Sequence, residues 1–143
     1  MAQATLTLRF RGRFDPDAIT SLLDLRPTRA HRANQVLRPG KVAKEGYWGY
    51  RLAEEDPLLG SDVSTLLAIG VDFIEARVRA IAAACSLPGT TGTLGLALYI
   101  PPGGFIPGIV LTSPTTLLLG KVGLTFEVDG MLLAPDQTPD VDG

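Results

Sequence analysis

Four stretches of the chain alternate apolar and polar positions, and each predicts a β-strand with one buried and one wet face. In residues 5–11, Leu6, Leu8 and Phe10 face one way while Thr5, Thr7, Arg9 and Arg11 face the other. In 46–52, Trp48, Tyr50 and Leu52 oppose Tyr47, Gly49 and Arg51. In 93–100, four aliphatic residues from Leu94 to Ile100 oppose Thr93, Gly95, Ala97 and Tyr99. In 122–128, Val122, Leu124, Phe126 and Val128 oppose Gly123, Thr125 and Glu127. A fifth, irregular strand is expected over 105–111, where Pro107 suits only a sheet edge.

Between the strands the period changes to that of a helix. Asp15 is placed as an N-cap, Pro16 suits the first helical position, and Asp17 complements the positive end of the dipole. Ile19, Leu22 and Leu23 form the stripe of this short helix, which Pro27 ends. The longest helix is expected over 61–85, because Val63, Leu67, Gly70, Ile74, Val78, Ile81 and Cys85 recur at three- and four-residue steps. Glu75 and Arg79 lie one turn apart and are expected to pair, and Gly70 is the expected place for a kink. A last short helix starts at Thr112/Ser113-Pro114, runs through Leu117, Leu118 and Leu119, and is expected to close on Gly120. Residues 26–45 carry Arg26, Arg29, Arg32, Arg38, Lys41 and Lys44 without sustained periodicity, and read as one long basic loop.

The resulting order is β-α-β-α-β-β-α-β. Strands with a single apolar face exclude a parallel sheet buried on both sides. The fold class expected is therefore α+β, a mainly antiparallel sheet with helices on one face. The strand, polar-Pro, helix sequence at Asp15-Pro16 returns at Ser113-Pro114 and hints at a duplicated ferredoxin-like arrangement. Residues 1–133 are expected to form one domain, and 134–143, with Asp136, Asp140, Asp142 and two prolines, a disordered acidic tail.

One segment resembles a known family. Leu8, Phe10, Gly12, Phe14-Asp15-Pro16, Ile19-Thr20, Leu23, Leu25 and Pro27-Thr28 look like the opening of the bacterial DUF4279 domain family. Gly46-Tyr47-Trp48, the long central helix and the closing Leu-rich helix and strand extend the resemblance over roughly 4–129. The basic stretch from Arg29 to Lys44 departs from it. The resemblance implies a fold and a bacterial, intracellular setting. It carries over no catalytic residue, because the family has no known function.

Composition narrows the chemistry. At 143 residues with 45% hydrophobic and 20% charged residues, the chain can bury a core without staples. No apolar run reaches the length of a membrane span, and Met1 to Thr5 lack the features of a signal peptide. Cys85 is the lone cysteine, which excludes an intrachain disulfide and points to a cytoplasmic location. Its place on the apolar stripe marks it as a core residue. His31 is the lone histidine and sits among arginines, so no metal ligand set, catalytic base or cofactor motif is legible. The Gly-rich stretches at 88–93 and 102–105 precede strands and lack phosphate-loop chemistry.

Charge is unevenly spread along the chain. Residues 1–44 hold nine Lys/Arg against three Asp, a surplus of six positive charges, while residues 45–143 are net acidic. Either the halves interleave and neutralise each other, or a basic patch faces an acidic partner. The wet sheet face offers Arg9, Arg11, Tyr47, Arg51 and Tyr99 around the small residues Gly49, Gly95, Ala97 and Gly123, and the basic loop adds Arg29 and Arg32. Arginine and tyrosine favour interfaces. These seven long side chains are the expected partner-binding residues of a non-catalytic adaptor or immunity-type module, engaging another protein or a second copy as a homodimer. The alternatives are nucleic-acid binding through Arg9, Arg11, Arg29, Arg32, Arg38 and Lys41, which an acidic pI of 5.3 opposes, and an enzyme holding a small anionic ligand.

Overall fold

A central strand with strict alternation positions the rest of the molecule. The computed structural model describes residues 3–55, 63–104 and 108–132. Strand β1 (Gln3–Gly12) lies between β5 (Gly46–Glu55) and β6 (Thr90–Ile100) and is antiparallel to both. The short β2 (Arg29–His31) adds to β5 at one edge, and β7 (Leu124–Leu132) adds to β6 at the other. The sheet order is β2-β5-β1-β6-β7, antiparallel except for the β6–β7 pair. Strands β3 (Val36–Arg38) and β4 (Lys41–Val42) pair only with each other.

Because β1 opposes both neighbours, β5 and β6 run parallel to one another with β1 inserted between them. That is the split β-α-β of a ferredoxin-like half, connected here by α2 (Ser64–Glu75) and α3 (Val78–Cys85). Helix α1 (Pro16–Leu23) follows β1, and α4 (Ser113–Val122) links β6 to β7. The domain is thus α+β, with a mainly antiparallel sheet.

The helical face holds the core. Leu6, Leu8 and Phe10 from β1 meet Trp48 of β5 and the aliphatic residues of β6, with Ile19, Leu66, Ile74, Ile81 and Val122 from the helices above them. An aromatic row crosses this layer. Phe10 and Trp48 ring centroids are 5.8 Å apart, Trp48 stacks on Tyr50 at 6.4 Å, and Tyr50 stacks on Phe73 of α2 at 5.6 Å. The Arg77 guanidinium closes the row, 4.1 Å from the Phe73 centroid.

Several local expectations are met and others corrected. Asp15 caps α1 by accepting from the Asp17 N–H at 2.9 Å, and Pro16 opens the helix. The long helix breaks at Ala76–Arg77, not at Gly70. A Cβ on Gly70 would stand 2.7 Å from Leu6 Cδ2, so this glycine serves close helix–sheet approach and not a kink. At the true break Arg77 Nη1 donates to the Phe73 carbonyl at 3.4 Å, and no ion pair joins Glu75 to Arg79, which fall on different helices. Helix α4 runs past Gly120 to the buried Val122, and Gly123, at φ 86°, closes it in place of Gly120. The expected strand over 105–111 has its first three residues outside the described ones, and 109–112 lack regular structure. The stretch 26–45 is not a plain loop, since it contains β2 and the β3–β4 hairpin. Strands of only two or three residues are too short for an alternation to be read. The proposed acidic tail, 134–143, lies outside the described residues.

Candidate functional site

The second sheet face carries polar residues by alternation, yet much of it is closed by its own side chains. Arg9 lies flat on Gly95, where an added Cβ would stand 2.8 Å from the guanidinium carbon. Tyr47 lies in the same manner over Gly49, with its hydroxyl 2.5 Å from the position of a Cβ there. The small residues expected to admit a partner therefore admit the chain's own arginine and tyrosine. Gly123 is not on this face at all, being the cap of α4.

Strand register concentrates the remaining chemistry at one end. Arg11 of β1 and His31 of β2 are both directly opposite Tyr47 of β5, so the three form a row across three strands. The His31 and Tyr47 rings stack at 5.6 Å and 22°. The guanidinium carbons of Arg11 and Arg29 lie 5.8 and 5.6 Å from the Tyr47 centroid. The β3–β4 hairpin alongside is closed at its base, where Asn34 N–H donates to Ala43 O at 2.8 Å and Ala43 N–H to Gln35 O at 2.9 Å. Gly40, at φ 78°, gives the hairpin its tight tip. Between hairpin and sheet lies a cleft of ≈ 460 Å³ whose charged lining is Arg11, Arg29, Lys41 and Lys44 against Glu45 alone. Leu37 and Val42 form its apolar wall.

His31 titrates below its ordinary range. Burial disfavours its charged form most, and the Arg29 guanidinium adds to this, against a smaller opposing effect from the Glu45 backbone and carboxylate. The folded state thus binds fewer protons than the unfolded chain as the pH falls through the ordinary value of 6.5. Stability is full above 6.5 and declines just below it, and His31→Gln is expected to remove that dependence. An imidazole titration by NMR should give a midpoint under 6.5 that rises partway in Arg29→Gln; a midpoint at or above 6.5 contradicts the assignment.

The seven expected binding residues divide into three groups. Arg11, Tyr47 and Arg29 meet in the cleft. Arg9 and Arg32 are taken up by internal ion pairs, as is Arg51, which pairs with Glu54 at 3.4 Å. Arg32 clamps the start of α1, bonding Asp15 and Asp17, the latter at 2.7 Å. That contact and the Asp17 N–H hold the Asp15 carboxyl below its usual value, the N–H being the larger influence. Tyr99 stands at the opposite end of β6, opposite Gln3, and is 5% exposed. The expectation that Arg9 and Tyr99 lie open on the sheet is therefore corrected, because both are buried.

Arg9 shows how the basic and acidic halves interleave. Its Nη2 lies 3.2 Å from Glu127 and 3.7 Å from Asp129, both carboxylates on β7. The guanidinium is buried whereas the carboxylates are half exposed, so removing the acids strands a cation. Glu127→Gln with Asp129→Asn is expected to cost about 1–3 kcal/mol in urea unfolding, and adding Arg9→Met should recover most of it. A double variant as stable as the parent would show that the pair contributes nothing.

Neither Lys44 nor Glu45 stands out as a site residue in the sequence, and His31 reads there only as a lone histidine among arginines. The signal was present only as density of basic residues in 26–45. Cys85 is partly buried and packs against the core beside Gly92 and Gly123, and burial pushes its thiol up to about 11. It lies on the helical side of the sheet, so it forms no pair with His31. Among the described residues no cluster of His, Cys, Asp and Glu could hold a metal ion, and no helix is long and apolar enough to cross a membrane.

Fold and site together define a one-sided α+β domain with a basic cleft at one end of its polar face. The family model described as a domain of unknown function, DUF4279, matches residues 2–133, and the chain belongs to that family. No curated protein and no solved structure matches it.

Proposed function

We propose that this domain is a non-catalytic binding module that docks an acidic, partly apolar segment of another protein into the cleft beside the β3–β4 hairpin. The observation that carries this reading is the lining of the cleft, four cations against one carboxylate. Apolar surface adjoins it. Val36 and Val42 face each other across the hairpin and are 67% and 52% exposed. Exposed aliphatic residues beside unneutralised lysines suit a segment that mixes acidic and apolar side chains, with charge guiding encounter and apolar contact retaining it. An adaptor or immunity-type role fits such a surface. The lone cysteine and the family resemblance support a bacterial, cytoplasmic setting.

Fluorescence anisotropy with a labelled peptide alternating Glu and Leu tests the reading. Binding is expected, with a peptide carrying Lys for Glu failing to bind. Lys41→Glu with Lys44→Glu should weaken capture by about tenfold or more, while the exposed positions leave the melting temperature nearly unchanged. Single- and double-stranded oligonucleotides serve as the contrast. Tight oligonucleotide binding with a steep salt slope and no peptide binding would transfer the cleft to nucleic acid. Peptide binding that is indifferent to both lysines would refute the cleft as the docking site.

A further inference from the structure

We propose that the anionic group seated at the inner end of this cleft is a phosphomonoester carried on the partner segment, held by Arg11, Lys41 and Lys44 with His31 beside them. The inference rests on the reading of the cleft as a docking site and names the chemistry that it receives.

Charge stoichiometry separates this end of the molecule from the rest. Elsewhere the chain supplies carboxylates to three of its arginines, two to Arg32, two to Arg9 and one to Arg51. In the cleft that ratio is inverted. Among the described residues no carboxylate comes within ion-pair distance of Arg11, Lys41 or Lys44, and Glu45 is the one acid in the lining. A single incoming carboxylate would leave most of this charge uncompensated. A phosphomonoester brings about 1.5 to 2 negative charges and three strong acceptor oxygens, enough to serve several donors at once.

The donors have the matching character. An arginine presents a planar fork to a phosphoryl group, and lysines act as point charges from the hairpin side. Arg11 and Arg29 reach the same place, since both guanidinium groups flank the Tyr47 ring. His31 faces Arg29 on its own strand, Glu45 just before β5 and Tyr47 on β5, with Arg11, Lys41 and Lys44 lining the same cleft. Its proton is disfavoured chiefly by burial and next by Arg29, and an arriving dianion would favour the charged form, turning the imidazole into a further donor. A volume of ≈ 460 Å³ exceeds a phosphoryl group alone and leaves room for the residue that bears it, against Leu37 and Val42.

The test compares N-acetyl-O-phosphoserine amide, N-acetyl-aspartate amide and inorganic phosphate, each titrated into the whole chain at a pH well above phosphate's second pKa of about 6. Backbone amide shifts locate the binding, and the His31 imidazole is titrated with and without probe. The phosphoserine derivative is expected to bind about tenfold tighter than the aspartate derivative, to shift residues of the cleft, and to raise the His31 midpoint. Arg11→Gln and Lys44→Gln should each weaken the phosphoserine derivative severalfold and the aspartate derivative by less. Equal affinity for the two derivatives overturns the phosphoryl assignment while the acidic Glu/Leu peptide can still bind. Inorganic phosphate binding as tightly as the ester overturns the assignment to a partner segment in favour of a free anion. No shift with any probe overturns the inference outright, whatever the peptide does.

Discussion

Trp48→Ala is expected to lower the unfolding free energy by about 3–5 kcal/mol, the usual range for truncating a fully buried aromatic residue. In a domain of this size that is roughly a 10–20 °C loss in melting temperature. The magnitude follows from what the indole touches. Trp48 has no exposed surface, sits in the middle of the row from Phe10 to Phe73, and donates from Nε1 to Thr20 Oγ1 of α1 at 3.0 Å. Removing it opens a cavity between β1, β5 and α1 and leaves a part-buried hydroxyl without its donor. Trp48→Phe should cost roughly half as much, because the ring contacts survive and only the hydrogen bond and part of the volume are lost. Urea unfolding followed by far-UV circular dichroism measures both. A loss under about 1 kcal/mol for the alanine variant would mean that the row is not the centre of the core.

Gly12→Ala is the second large effect, of about 3 kcal/mol or more, and it acts on the backbone and not on the core. Gly12 ends β1 at φ 141°, a conformation that an L side chain rarely adopts. An added Cβ would also overlap the Gly89 carbonyl oxygen, which itself accepts from the Arg13 N–H at 3.2 Å. The obstacle is main chain held by the β1–β6 pairing, so no side-chain rotation relieves it. Gly120→Ala provides the contrast. That glycine is inside α4 with nothing within 4 Å of a Cβ, and the substitution should stabilise by about 0.5–1 kcal/mol. Equal effects at the two positions would show that helix propensity and backbone strain have been wrongly separated.

The two glycines also illustrate what could be read in advance. Gly120 looked like a helix stop because it followed three leucines, and nothing local distinguishes it from Gly123, three residues on. The difference is that Val122 is buried, which holds the helix for one more turn. Gly70 looked like a kink because glycine is a poor helix former, when its actual constraint is Leu6 on a strand more than sixty residues earlier. The site was legible to a similar degree. Arg11, Tyr47 and Arg29 were all visible as candidates, but so were Arg9, Arg32 and Arg51. Separating the two sets needs the positions of Glu127, Asp15, Asp17 and Glu54, which only the fold supplies.

By itself the sequence determined the elements whose physics is local. A period of two placed four strands and chose their buried faces, Asp15-Pro16 and Thr112-Ser113-Pro114 started helices through capping geometry, and one apolar face per strand dictated a one-sided α+β sheet. Tertiary structure decided what depends on distant partners. It paired β6 with β7 in parallel, laid Arg9 over Gly95 beside the β7 carboxylates, and set a two-strand hairpin against Tyr47 to make a basic cleft. Alternation reports which face a side chain occupies. Whether that side chain then stands free, lies on a glycine or meets an opposite charge is settled by residues far along the chain, and only the folded register brings them within reach.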